Sequence, residues 1–300
     1  MLFSGDKPKF LRDSQSQELY FISGKIRRRI LHPEIVSHLR RAFPGITLKD
    51  ATASEIAAYH PGALVPRQWP DEDWIEPPAN KQMMREIIVS RLKGKGVEFG
   101  AGSRPMPLPF DTEVDYAEPF QSSEQYARMH YTDNTVKARY KNPIEDQYEV
   151  ADESIDFVVA AHVIEHTPNP IRAIVESYRK LRPGGQLVLV VPDRRRTFDR
   201  HRDITPIEHL ILDFEKPDRE RDLDNYLDFF RKVKKGPDPD SQARAAHAAG
   251  IDIHYHVWEP GSFSRMMRHI VDNYAPFRSV ELKPPVNAEK CLEFYMVARK

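Results

Sequence analysis

A chain of 300 residues with 40 % hydrophobic content can bury one full enzyme domain with an appendage, or two small domains. Its 45 Lys and Arg balance 45 Asp and Glu, which argues against an electrostatic grip on nucleic acid, because phosphate binding needs a basic surface. A single cysteine, Cys291, excludes a disulfide framework and a cysteine-rich zinc site. The opening Met1-Leu2-Phe3-Ser4-Gly5 lacks the apolar stretch of a signal peptide, and no later segment reaches the length of a membrane span. A cytoplasmic protein without a membrane span is therefore expected.

Residues 1–65 read as a small α+β module. Glu18 to Ile22 and Lys25 to Ile30 flank Ser23-Gly24 as two short strands. Pro33 opens a helix with Ile35, Val36, Leu39 and Phe43 on one face, and Thr52-Ala53-Ser54-Glu55 has the spacing of a capping box. Residues 66–79, rich in proline and holding Trp69 and Trp74, read as an ordered linker. From Asn80, a good N-cap, a helix is expected through Met83, Met84, Ile87, Ile88 and Leu92, broken at Lys93-Gly94-Lys95-Gly96.

Strand and helix signals then alternate, as in a doubly wound sheet. Gly96 to Phe99 and Glu113 to Tyr116 read as the first two strands, and a third is faint between Tyr140 and Glu145. Ile155 to Ala161 is an almost unbroken apolar run, as expected of a strand buried on both faces. Asn169-Pro170 caps a helix with Ile171, Ile174, Val175, Tyr178 and Leu181 on one face, and Gln186 to Val191 is another buried strand. Arg278 to Leu282 and Leu292 to Ala298 should close the sheet as an edge hairpin. A charged helical insert over 193–274, with Leu223, Tyr226, Leu227, Phe230 and Val233 at helical spacing, would lie beyond the strands' carboxyl ends as a lid. The expected fold is α/β: a Rossmann-like, doubly wound, mostly parallel seven-stranded sheet in residues 80–300, behind the N-terminal module.

The chemistry gathers in this half. In Glu98-Phe99-Gly100-Ala101-Gly102 a strand runs into a Gly-x-Gly turn, where backbone can pass close to a ligand. Nicotinamide enzymes share that opening, but Pro105 replaces their third glycine, and Glu98 would repel a pyrophosphate while suiting an amino group. Glu98 to Gly102, Asp152-Glu153-Ser154-Ile155-Asp156-Phe157-Val158-Val159, His162-Val163-Ile164-Glu165-His166 and Leu181-Arg182-Pro183-Gly184-Gly185 follow one another in order, and together they resemble the class I methyltransferases dependent on S-adenosylmethionine (AdoMet).

That resemblance implies AdoMet as cofactor. Gly100 and Gly102 would lie against its methionine portion with Glu98 nearby. Asp115, read as the end of strand two, would bond the ribose hydroxyls. Asp146 would meet the adenine amino group, with Glu145 competing, and Ala161 and His162 would line the sulfonium. The family usually starts a helix directly after the glycines, whereas Pro105, Pro107 and Pro109 predict a short helix or none. A neutral imidazole suits the base for a hydroxyl acceptor, and His166 and His209 are the candidates. His254 and His256 read as a structural pair, and no metal is expected. Thr197 to Arg200 and Thr205 to Leu210 are similar to a subgroup of bacterial methyltransferases that accompany glycosyltransferases, which implies a small-molecule or glycan acceptor, O-methylation and a glycosyltransferase association. The rivals are a catalytically silent cofactor-binding partner in a glycan-assembly complex and a nicotinamide-dependent oxidoreductase.

Overall fold

The structure is a computed structural model that describes residues 9–23, 26–30, 36, 40, 46–61, 81–119, 136–147, 149–286 and 291–300. The linker over 66–79 lies outside the described residues, as does the helix expected from Pro33 apart from positions 36 and 40.

The N-terminal segment forms its own five-stranded sheet in the order β4-β1-β2-β3-β5, built from β1 (Lys9–Asp13), β2 (Leu19–Ser23), β3 (Ile26–Ile30), β4 (Thr47–Ala51) and β5 (His60–Pro61). The hairpin of β2 and β3 is the one its Gly turn predicts. The edge strands β4 and β5, and β1 between β4 and β2, carry no clear alternation in the sequence. Helix α1 (Ala53–Ala57) begins with the predicted capping box: Thr52 Oγ1 accepts from the Glu55 N–H at 3.3 Å and Glu55 Oε2 from the Thr52 N–H at 2.8 Å. The sheet docks on the second unit through residues 110–112. Phe110 meets Phe21 edge-on at 6.1 Å, and the buried Arg28 guanidinium donates to the Thr112 carbonyl at 2.7 Å.

The second sheet has six strands in the order β10-β11-β9-β8-β6-β7: β6 (Lys95–Phe99), β7 (Glu113–Ala117), β8 (Ile155–Ala161), β9 (Leu181–Pro192), β10 (Ser279–Lys283) and β11 (Glu293–Arg299). Strands β6 to β9 are parallel. The expected hairpin of β10 and β11 is present, with β11 inserted antiparallel against β9. The count falls one short of seven because the third strand shrinks to a single bridge between Ala117 and Tyr140. Its residues, Tyr140-Lys141-Asn142-Pro143, have neither alternation nor an amide at Pro143 to extend a ladder.

The apolar run of β8 is explained by its two buried faces. Val158 and Ala160 join the layer of α3 (Pro170–Lys180) and α7 (Pro260–Asn273), while Phe157 and Val159 join that of α2 (Lys81–Val89). Between β6 and β7 no helix forms among the described residues, as the prolines predict. The extended Ser103 to Thr112 segment instead places Met106 and Leu108, both fully buried, against α2 in the layer a crossover helix would fill. Helix α3 has Asn169 as N-cap, its Oδ1 accepting from the Arg172 N–H at 3.0 Å, with Pro170 in the first turn.

Between β9 and α7 lie α4 (Ile207–Glu215), α5 (Asp222–Phe229) and α6 (Pro239–Ala248). The predicted stripe of Leu223, Tyr226, Leu227, Phe230 and Val233 builds a separate small core around Phe229, Ala243, Ala246 and Ile253. Helix α7, within the range read as insert, packs Phe263, Met266, Met267 and Ile270 onto the main sheet instead. Among the described residues no helix is long and apolar enough to cross a membrane.

Candidate active site

The chain leaves β6 toward β7 on one side and leaves β8 toward β9 on the other. The carboxyl ends of β6 and β8 therefore flank the switch point of the sheet, where ligands bind in open α/β folds. Gly100 to Gly102, Glu118 and the Ala161 to His166 segment all converge there.

Gly100 has φ +67°, and a Cβ on it would sit 2.4 Å from Val163 Cγ2, so the turn is pressed against the segment leaving β8. Gly102 has φ +50° and donates its N–H to Glu118 Oε1 at 2.6 Å. Glu118 is fully buried and its Oε2 has no partner; burial pushes the carboxyl up to about 7, against the opposing pull of the Gly102 N–H. Glu98, one residue short of the end of β6, faces the α2 layer. Its Oε1 accepts from the Met106 N–H at 2.7 Å, Oε2 is buried without a partner, and burial raises its pKa to about 8. Glu98 thus tethers the proline segment that replaces the missing helix.

One acidic position is corrected, and a second candidate stands beside its buried rival. Asp115 is not the end of its strand: it pairs with Val97 in register, two residues before Ala117, and is taken up by Arg139 Nη1 at 2.8 Å and Lys95 Nζ at 3.5 Å. Glu118 is the carboxylate at the strand's end. Asp146 is exposed and receives Asn142 Nδ2 on its backbone carbonyl, whereas the neighbouring Glu145 turns a buried, unpartnered Oε2 inward and is pushed up to about 7 by that burial.

Ala161 ends β8. His162 follows at φ +56°, a left-handed conformation that costs a non-glycine residue energy and is held by its surroundings. Its N–H donates to the Val190 carbonyl at 2.9 Å, its Nε2 meets Glu293 Oε2 at 2.8 Å, and its Nδ1 stands 3.4 Å from Glu165 Oε1. Glu293 also takes both guanidinium arms of Arg85, at 2.8 and 2.7 Å. Burial alone would lower the His162 pKa, but Glu165 and Glu293 outweigh it and hold the imidazolium up to about 9. A group raised in the folded state stabilises fully below its unfolded pKa and ceases to do so as pH rises through the folded value. Stability is therefore expected to fall between about pH 6.5 and pH 9 as His162 deprotonates. Thermal melts of the wild type and His162→Gln across that range check this; parallel pH profiles for the two would remove His162 as the cause.

The candidate bases do not meet. His166 Nδ1 pairs with Asp252 at 3.0 Å, and its ring lies perpendicular to that of His254 at 4.7 Å. His209 lies on α4, its Nε2 3.1 Å from Asp213, beside the ring of His256 at 5.5 Å. His256 is fully buried, bonds the Pro168 carbonyl at 3.1 Å, and is pushed down to about 4 by burial, so its imidazole is neutral. The expected pairing of His254 with His256 is thus replaced by two groups, Glu165/His166/His254 and His209/Asp213/His256, each offering ligand atoms within 4.8 Å of one another. Glu165, Asp252 and Glu293 escaped the sequence reading, although Glu165 sits inside the His-Val-Ile-Glu-His motif.

A family model described as a methyltransferase domain matches residues 75–270. Two curated relatives, both ubiquinone biosynthesis O-methyltransferases, from Pseudomonas savastanoi pv. phaseolicola and Pseudomonas syringae pv. syringae, are 28 % identical over 151 residues, 47 % of this chain. The match spans 63 % of the length of those relatives. Among solved structures, a SAM-dependent methyltransferase of Thermotoga maritima, described as a possible histamine N-methyltransferase, is 18 % identical with a TM-score of 0.42, covering 72 % of this chain and 86 % of that one. A SAM-dependent methyltransferase of Aquifex aeolicus is 12 % identical with a TM-score of 0.37, covering 72 % of this chain and 88 % of its own. The family match sets aside the nicotinamide reading of the glycine turn: the chain belongs to the methyltransferase-domain family.

Proposed function

We propose that this enzyme methylates a hydroxyl oxygen of a small molecule or glycan, with AdoMet held along Gly100, Gly102 and Glu118 and the acceptor addressed by His166. The observation that carries the reading is the Asp252–His166 pair at the carboxyl end of β8, beside the glycine turn. The choice of oxygen is supported by the name of the Pseudomonas relatives, and the sugar class by the resemblance of Thr197 to Arg200 and Thr205 to Leu210. The same resemblance supports work alongside a glycosyltransferase.

The residues fit the cofactor. The turn at Gly100 and Gly102 has no side chain to obstruct a close ligand, and the unpartnered Oε2 of Glu118 suits a ribose diol, since a carboxylate accepts from both hydroxyls. Glu145, with its inward oxygen, would take the adenine amino group in place of Asp146, while Ala161 and His162 would border the methionine end. When bound, AdoMet supplies an electrophilic methyl group on sulfur. The protein must align the acceptor and manage its proton. Asp252 accepts from Nδ1–H of His166, which fixes the tautomer and leaves the Nε2 lone pair to take the hydroxyl proton. His209 is turned onto Asp213 and is assigned no part in this step.

Calorimetry with AdoMet and S-adenosylhomocysteine tests the cofactor half of the proposal. The wild type should bind both, and Glu118→Ala should bind roughly ten- to a hundredfold more weakly, the worth of hydrogen bonds to a charged group. An unchanged affinity in Glu118→Ala would return the diol to another residue.

A further inference from the structure

We propose that Glu165, His166 and His254 form a binding site for one divalent transition-metal cation at the carboxyl end of β8. The inference rests on reading this end of the sheet as the acceptor's side of the pocket.

Three observations carry it. First, the three side chains each offer a ligand atom within 4.8 Å of the others. Second, Glu165 is fully buried, yet neither of its oxygens accepts a hydrogen bond of good geometry. The nearest nitrogens are His162 Nδ1 at 3.4 Å and His166 Nε2 at 3.9 Å. The His162 imidazolium faces Oε1, but Oε2 has no partner, and a buried carboxylate oxygen left so is costly unless a further cation compensates it. Third, both imidazoles are already oriented as metal ligands usually are. His166 Nδ1 meets Asp252 at 3.0 Å and His254 Nδ1 meets Asp199 at 2.6 Å, which leaves Nε2 of each ring with the lone pair. A carboxylate behind each ligating histidine is the common outer shell of protein metal sites. Asp199 is itself fixed, 1 % exposed and bonded by Arg202 Nη1 at 3.1 Å, and Arg202 also donates to the His254 carbonyl at 2.7 Å.

One spacing is close to that of a filled site, and the others lie within 4.8 Å. Bonds of about 2.1 Å put two ligands of one ion roughly 3 to 3.5 Å apart. The 3.9 Å between Glu165 Oε1 and His166 Nε2 therefore needs to close by only about half an ångström. Two imidazoles and one carboxylate favour zinc, cobalt, nickel, iron or manganese over magnesium or calcium, which prefer all-oxygen shells. Three protein ligands leave further positions open, and an acceptor oxygen fits there. With the ion bound, the Nε2 lone pair of His166 belongs to it, and a coordinated hydroxyl, made more acidic, gives its proton to solvent. Without the ion, Nε2 takes that proton directly.

The test uses the full chain, stripped with EDTA and titrated with cobalt(II). One cobalt per chain and visible ligand-field bands are expected, with zinc displacing the cobalt. Glu165→Gln and His254→Gln should lose the bands, and Asp252→Asn should bind cobalt about ten- to a hundredfold more weakly. Asp252 is partly exposed and safe to change, so this variant decides the matter if Glu165→Gln fails to fold. His209→Gln should keep the bands. Their loss in His209→Gln but not in Glu165→Gln would place the ion at His209/Asp213/His256 and overturn the proposal, as would a wild type that takes up no cobalt. AdoMet calorimetry on the same samples separates the two readings. Normal AdoMet binding without cobalt uptake ends the metal site alone, and cobalt uptake without AdoMet binding ends the cofactor assignment alone.

Discussion

His166→Ala is expected to lower kcat by roughly a hundred- to ten-thousandfold on a hydroxyl acceptor, the usual worth of a positioned proton-handling group. AdoMet affinity should be unchanged, because the cofactor is assigned to Gly100, Gly102, Glu118 and the Ala161–His162 end of β8, and His166 itself is given no contact with it. The split between kcat and cofactor binding is the informative part. A merely structural His166 would disturb both, since its segment packs against the glycine turn through Val163. Asp252→Asn should cost less, because the imidazole remains and loses only its orientation. His209→Ala is expected to reduce stability, through the loss of its pairing with Asp213, and to spare kcat. Stopped-time assays with radiolabelled AdoMet, paired with calorimetry, check all three. Full turnover in His166→Ala would transfer the role to another group.

Where the sequence was legible, two buried faces or a covalent constraint did the work. Residues 155–161 are apolar without interruption because neighbours cover β8 on both sides, and the prolines after Gly102 exclude a helix whatever packs around them. Asp115 went astray for an equally physical reason. The segment Glu113-Val114-Asp115-Tyr116-Ala117-Glu118 holds three carboxylates at mixed parity, and periodicity does not say where the ladder stops. Pro119 does, because a residue before proline is held extended and proline adds no donor, which singles out Glu118. The histidines were misread because residues 251–257 belong to no sheet. This segment runs as an extended chain past Glu165, whose carbonyl accepts from the Tyr255 N–H at 2.7 Å. His254 consequently joins one cluster and His256 another. Which alternate residues share a face depends on the neighbours, and here the neighbours are the segment after β8 and helix α4, some 90 and 45 residues away in sequence.

Gly100→Ala is expected to weaken AdoMet binding by more than tenfold and to destabilise the fold by about 2–3 kcal/mol, through two separable costs. One is conformational, since an L side chain at φ +67° is strained by about 1–2 kcal/mol. The other is steric, because the new methyl would lie 2.4 Å from Val163 Cγ2. Gly184 isolates the first cost: its φ is +84°, yet a Cβ there meets nothing within 4 Å, so Gly184→Ala should destabilise by only about 1–2 kcal/mol and leave AdoMet affinity intact. Val163→Ala isolates the second, because it removes the clashing methyl; added to Gly100→Ala it should recover the steric share and leave the strain. The steric share is the one that reaches function. Val163 lies between His162 and the short turn Ile164–His166, so pushing it away from the glycine turn shifts the histidines together with the cofactor loop. Denaturant melts give the stability terms and calorimetry the affinities. If Gly100→Ala and Gly184→Ala prove equally mild in both, crowding against Val163 is not what requires glycine at position 100, and the turn would then be set by backbone conformation alone.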